Sequence, residues 1–280
     1  MTTASADTHS LHRGTAPLIV SVPHSGTALP AALRTRLTPL ALTQPDTDWH
    51  VDRLYDFVPQ LGATLLVARY SRYVIDLNRP PDDAALYPGA PRTGLCPALS
   101  FAGAALYEEG GAYEVPAAEV QQRRARYWQP YHDTLRELIV STCARHGFAL
   151  LLDAHSIRSV VPRLFSGQLP DINVGCNDAR SCDAASIAMV RGRLAAQSQR
   201  SWVIDGRFKG GYITRHYGQP AQGAHALQIE LAQCGYMIEA DGQGTGVPAW
   251  DARLMAPLQG LLRSLLVDWL ALRGWPPARS

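Results

Sequence analysis

Short apolar runs alternate with longer amphipathic stretches along this chain, and the alternation predicts strands and helices in turn. Pro17-Leu-Ile-Val-Ser-Val-Pro23 is an apolar run closed by proline, which suits a buried strand. A helix is expected over residues 47–60, with Val51, Leu54, Tyr55 and Val58 on one stripe. Residues 63–68 and 72–77 read as two further strands. Residues 78–116 are rich in Pro and Gly and lack a period, and a connection that long inside a compact domain usually serves function. Residues 119–146 carry the longest helical pattern, ended by Gly147 and interrupted by Pro130, which predicts a kink or two helices in succession. Phe148-Ala-Leu-Leu-Leu-Asp-Ala154 is nearly continuous in apolar character, the mark of a strand covered on both faces. A helix over 183–199, strands over 202–205 and 224–231, and a terminal helix over 251–272 complete the pattern. Residues 1–14 are polar with nothing to pack and are expected to be disordered, leaving 15–280 as a single domain.

This order, without repeats or an internal linker, predicts one α/β domain with a mostly parallel sheet. Ligands in such sheets bind beyond the carboxyl ends of strands, so polar residues that follow apolar runs carry the candidate chemistry. Charge narrows the partners: 26 Lys+Arg against 24 Asp+Glu give +2, too weak a field to argue for nucleic acid or an anionic membrane. The five cysteines lie apart with no C-x-x-C, against both a disulfide framework and a Cys-type zinc ribbon. Residues 1–14 lack the apolar core of a signal peptide, and the most apolar late stretch is broken by Arg263 and Asp268, so a cytoplasmic soluble protein is expected. H-E-x-x-H, G-x-S-x-G and Walker loops are missing, and Gly242-Gln-Gly244-Thr-Gly246 reads as a plain loop.

Two apolar runs stop on a histidine, in Pro23-His24-Ser25 and Asp153-Ala154-His155. Neutral imidazole is the commonest metal ligand, and a catalytic zinc takes three protein ligands with one position left open. Asp153 would share a strand face with His155 and orient its ring. A carboxylate from Asp46-Thr-Asp48-Trp-His50-Val-Asp52 would complete the set. At roughly 100° per residue Asp48 lies about 70° from the centre of the apolar stripe and Asp52 about 110°, which favours Asp48. Asp46 and Asp52 read better as capping or solvated charges. Glu230 stands inside the apolar run His225-Ala-Leu-Gln-Ile-Glu-Leu231, where burial would raise its basicity toward that of a general base; a salt bridge to an arginine is the equal alternative. Arginines gather at Arg69, Arg72, Asn78-Arg79 and Arg207 to Arg215, suggesting a small substrate with two negative ends, and Gly210-Gly211 would let backbone approach a ligand. Arg123, Arg124 and Arg126 read as a solvated helix face.

Taken together, VPHSG, DTDWH, SRYVIDLNRP, the LYPG…TGLCP loop, LLDAHSIRS, GRFKGGYITRHYG and HALQIELAQCGYM resemble the N-formylglutamate amidohydrolase (N-formylglutamate deformylase) family of histidine catabolism, over nearly the whole chain from about Pro17 to Leu272. The resemblance implies a three-layer α/β/α fold with a central, mostly parallel mixed sheet, like the zinc-dependent exopeptidases. It implies cleavage of N-formyl-L-glutamate to formate and L-glutamate with Zn²⁺ or another divalent metal. His24 and His155, with Asp48 as third, would be the metal ligands and Glu230 the general base. Asn78 and Arg79 would hold a terminal carboxylate as in zinc carboxypeptidases, assisted by Arg72. Local chemistry adds Arg215 for the second carboxylate and His216 to polarise the carbonyl. The competing readings are another N-acyl amino-acid deacylase or carboxypeptidase-like enzyme of this fold, and a metal-free binder of acidic amino acids.

Overall fold

The structure, a computed structural model, describes residues 8–86, 89, 93–110, 113–239 and 247–275. Its strands are β1 (His9–His12), β2 (Leu18–Val22), β3 (Thr64–Ala68), β4 (Ala149–Ile157), β5 (Ile172–Gly175), β6 (Trp202–Ile204) and β7 (Ala224–Ala232). They form one sheet in the order β1-β3-β2-β4-β7-β5-β6. The pairs β2–β3, β2–β4, β4–β7 and β5–β6 are parallel, whereas β1–β3 and β5–β7 are antiparallel. The α-helices are α1 (Ala31–Arg34), α2 (Pro39–Leu42), α3 (Val51–Leu54), α4 (Ala117–Arg123), α5 (Gln129–His146), α6 (Ala184–Ala195), α7 (Tyr212–Tyr217) and α8 (Ala252–Leu272). The expected mixed, mostly parallel sheet between helices is what forms.

Strand alternation divides the core into two layers. Leu18, Val20, Leu150, Leu152, Leu227 and Ile229 pack with Val190 and Leu194 of α6 and with Leu258, Leu262 and Trp269 of α8. The intervening Ile19, Leu151 and Ala226 face Tyr131, Leu135 and Leu138 of α5. On this second face the same positions turn polar toward the carboxyl ends of the strands, as Ser21, Asp153, His155, Gln228 and Glu230, all buried. Register sets them side by side: Ser21 opposite Asp153, Asp153 opposite Gln228, and His155 opposite Glu230. The site lies where apolar packing against α5 gives way to these side chains.

Several expectations are corrected. Residues 9–12 form the edge strand β1, paired with β3, where the pattern suggested disorder: four residues with little apolar character acquire structure only from a neighbouring strand. Residues 72–77 are no strand, because helix side chains take up the carbonyls: Arg123 donates to Val74 O, His132 to Leu77 O and Trp128 to Arg79 O. Arg123 is therefore buried, not solvated. The helix over 47–60 shrinks to α3 and a 3₁₀ turn over Val58–Leu61, because His50 takes φ 61° and Pro59 cannot donate to a continuing helix. Pro130 likewise leaves a carbonyl without a donor one turn back, and a π-helical stretch, Arg124–Trp128, absorbs the defect between α4 and α5. The pattern of residues does not predict the short elements β5 and α7. The Gly242–Gly246 loop and part of the LYPG…TGLCP loop lie outside the described residues.

Candidate metal centre and active site

His24 follows β2, Asp48 precedes α3 and His155 rides on β4, yet one ligand atom from each lies within 4.8 Å of the other two. Asp48 Oδ2 is 3.0 Å from His155 Nδ1 and 3.8 Å from His24 Nδ1. Behind each ring stands a carboxylate: His24 Nε2 is 2.8 Å from Asp76 Oδ1 and His155 Nε2 is 3.0 Å from Asp153 Oδ1. A proton held on His24 Nε2 toward Asp76 leaves its Nδ1 lone pair facing Asp48, the pattern by which outer carboxylates orient ligating imidazoles. His155 Nε2 lies between Asp153 Oδ1 and the Asn78 amide Nδ2, the latter 2.8 Å away. His24 Nδ1 is buried without a hydrogen-bond partner, a costly state that a cation in the centre would relieve. Two imidazoles and a carboxylate suit zinc and several other divalent ions, so the donors fit such a group. Without a cation, burial and the nearby Arg72 charge push the His24 pKa down. Burial acts the same way on His155, but the Asp153 and Asp48 carboxylates outweigh it and hold that ring well above the usual range.

Arg72 stands behind the centre. Its guanidinium, buried over the Phe101 ring at 4.6 Å, donates to Asp48 Oδ1 at 3.3 Å and Asp76 Oδ2 at 2.8 Å. Burial would raise the Asp76 pKa, but Arg72 and His24 hold it well below the carboxylate range. Asp76 escaped the sequence reading, although an acid within Val74-Ile75-Asp76-Leu77 is the same signal that singled out Glu230. Asp46 is also buried, accepting from Tyr73 Oη and Phe101 N at 2.8 Å each, whereas Asp52 is the solvated charge expected.

Glu230, opposite His155 in the sheet register, is buried, and desolvation pushes its carboxyl pKa up to about 8. No arginine among the described residues pairs with it; Oε2 accepts from Gln228 Nε2 at 3.0 Å, and Gln228 Oε1 in turn accepts from Gly211 N at 2.7 Å. A carboxyl of that basicity beside a cation site is suited to proton transfer near neutral pH.

These groups open into one cavity of ≈860 Å³, its open mouth included. His24, His155, Glu230, Arg72, Asn78, Arg79 and Arg207 line its polar side, and Phe101, Ile157, Leu164 and Phe208 form an apolar wall. Asn78 sits in the floor with its amide engaged, donating to Asp153 Oδ2 at 3.1 Å and accepting from Ile213 N at 2.8 Å. A β-carbon on Gly211 would overlap that amide, so the close approach that this glycine permits is to Asn78. Arg79 is anchored by Thr93 O and Thr93 Oγ1. Arg215 and His216 do not line the cavity, contrary to the sequence reading. Thr214 on α7 is buried and donates to Asp153 Oδ2 at 3.3 Å, and the next two residues are carried about 100° and 200° away around the helix. Arg215 Nε donates to Gly210 O at 2.8 Å, and His216 stacks on Tyr212 at 4.7 Å. Arg207, eight residues earlier, does line the cavity.

A sequence model of the N-formylglutamate amidohydrolase family matches residues 16–237, a span that contains every residue of this site. The chain belongs to that family. Family relatives include N-formylglutamate deformylases of Pseudomonas aeruginosa, 50% identical over 94% of this chain and 96% of the relative, and of Pseudomonas putida, 47% identical over 94% and 95%. A crystal structure of an N-formylglutamate amidohydrolase from Ralstonia eutropha superposes with a TM-score of 0.79 at 29% identity, covering 95% of this chain and 98% of that one. Among the described residues no helix is long and apolar enough to cross a membrane.

Proposed function

We propose that this protein hydrolyses N-formyl-L-glutamate to formate and L-glutamate, as the final reaction of a histidine-degradation route in the cytoplasm. One juxtaposition carries the reading: the buried Glu230 carboxyl shares a cavity with His24 and His155 of the cation-binding cluster and with Arg79 and Arg207. The Pseudomonas relatives, both N-formylglutamate deformylases, agree with it. The free thiols of all five cysteines agree with a reducing compartment.

His24, Asp48 and His155 would hold the cation, which we take to be Zn²⁺. When bound, it supplies Lewis-acid polarisation of the formyl carbonyl. Glu230 accepts a proton from the attacking water and delivers it to the glutamate nitrogen as the C–N bond breaks. Gln228 keeps the Glu230 carboxylate aimed into the cavity. Arg79 and Arg207 bind the two carboxylates of glutamate, Asn78 braces the floor, and the apolar wall takes the methylene groups. Binding the large, charged half of the substrate positions its small formyl group.

The test is formate release from N-formyl-L-glutamate by purified protein before and after exhaustive chelation. Release that chelation abolishes and Zn²⁺ restores is expected. A metal-free protein of undiminished rate, or a metal-loaded one releasing no formate, would refute the reading.

A further inference from the structure

His24 and His155 are placed by the strands that they follow or belong to, whereas Asp48 sits in a turn-rich segment. Its position therefore depends on what fixes that segment. The carbonyls on either side of it are both held from across the sheet: Thr47 O accepts from Gln233 Nε2 at 3.0 Å and Trp49 O from Tyr236 Oη at 2.7 Å. Ser156, beside His155 on β4, joins the two, with Oγ 2.8 Å from Tyr236 Oη and 3.3 Å from Gln233 Nε2. Its backbone N donates to Asp48 Oδ2 at 3.1 Å. All three side chains are buried, at 2% exposure for Ser156 and Gln233 and 0% for Tyr236. The hydrogens account for every contact. Tyr236 donates its one hydroxyl hydrogen to Trp49 O, Ser156 Oγ donates to Tyr236 Oη, and Gln233 divides its two amide hydrogens between Thr47 O and Ser156 Oγ. A buried network with every member satisfied is stiff, and removing one member leaves its partner unpaired.

We infer that Ser156, Gln233 and Tyr236 are positioning residues that clamp the backbone on both sides of Asp48 and thereby set the protein's affinity for its divalent cation. The inference rests on reading His24, Asp48 and His155 as the cation site. Tyr55 supplies the control: it is equally buried and lies at the end of α3, close in sequence to Asp48, but its hydroxyl has no hydrogen-bond partner.

The experiment titrates full-length, metal-free protein with Zn²⁺ against a chromophoric chelator, for the parent, Tyr236→Phe, Gln233→Met and Tyr55→Phe, with thermal unfolding of each metal-free form. Tyr236→Phe and Gln233→Met should raise the zinc Kd about 10- to 100-fold, the usual effect of losing outer-shell support, and Tyr55→Phe should leave it within about twofold. A lower metal-free Tm with unchanged zinc Kd would assign the network a purely structural role and overturn the inference, as would equal weakening by Tyr55→Phe. If Tyr236→Phe does not fold, Ser156→Ala is judged by the same criteria. A parent that binds no zinc defeats the cation site itself, whereas tight binding by parent and variants alike defeats only the clamp.

Discussion

Acid should weaken the fold in part through one buried imidazole, His132. It is fully buried on α5, stacked on Trp128 with ring centroids 3.7 Å apart. Nε2 is 2.8 Å from Leu77 O and Nδ1 is 3.0 Å from Tyr217 Oη. Donation from Nε2 and acceptance at Nδ1 describe a neutral ring, and burial pushes its pKa from 6.5 down to about 3. The folded state therefore favours the uncharged form. The stability this confers is complete above pH ~6.5 and is lost as pH falls from there toward ~3. A fall from 6.5 to about 3 corresponds to about 5 kcal/mol in the acid limit, of which about 2 kcal/mol is lost by pH 5. Urea unfolding of the parent and His132→Gln at pH 7.5 and pH 5.0 isolates this contribution, because glutamine can still donate to Leu77 O but does not titrate. The parent should lose about 2 kcal/mol more than the variant over that interval. Equal losses would refute the assignment of a neutral buried ring. The same contact fixes Leu77, which immediately precedes Asn78 and Arg79 at the cavity.

Replacing Glu230 by Gln should lower turnover of N-formyl-L-glutamate by about 10²- to 10⁴-fold, the range for a lost general base, while zinc stoichiometry measured by atomic absorption stays that of the parent. Arg207→Ala should reduce kcat/KM about 10- to 100-fold through loss of a charge-assisted hydrogen bond, and Arg215→Ala by no more than about threefold; steady-state kinetics showing the opposite order would restore the Arg215 assignment. Gly211→Ala forces a β-carbon into the Asn78 amide and should cost about 1–3 kcal/mol, seen as a lower Tm in calorimetry; a parent-like Tm would mean that the segment shifts freely.

How much of this was legible along the chain depended on range. The long apolar runs of β2, β4 and β7 declared themselves because a strand buried on both faces has no polar side to obscure it. His24, His155 and Glu230 stood out because polar groups are costly in such runs and seldom sit there without a task. Asp48 was selected by an angle on a helix that does not extend to it, so that the chosen residue entered the cluster through a turn instead. Asp76 carried the same signal as Glu230 and Arg72 stood among the candidate arginines, but what they and Asp46 do is defined by partners dozens of residues away, His24, Asp48 and Phe101.

Hydrophobic periodicity, a property of neighbouring residues, was sufficient by itself to determine the α/β class, the main strands and the histidines and acid that end them. Tertiary structure alone decided that residues 72–79 form a loop held by α4, α5 and the π-helical stretch between them, that Arg207 and not Arg215 reaches the cavity, and that Gln233 and Tyr236 grip the turn around Asp48. The physical reason is common to all three. A hydrogen bond or a helix-face direction depends on where distant segments meet, and local spacing carries no record of that meeting.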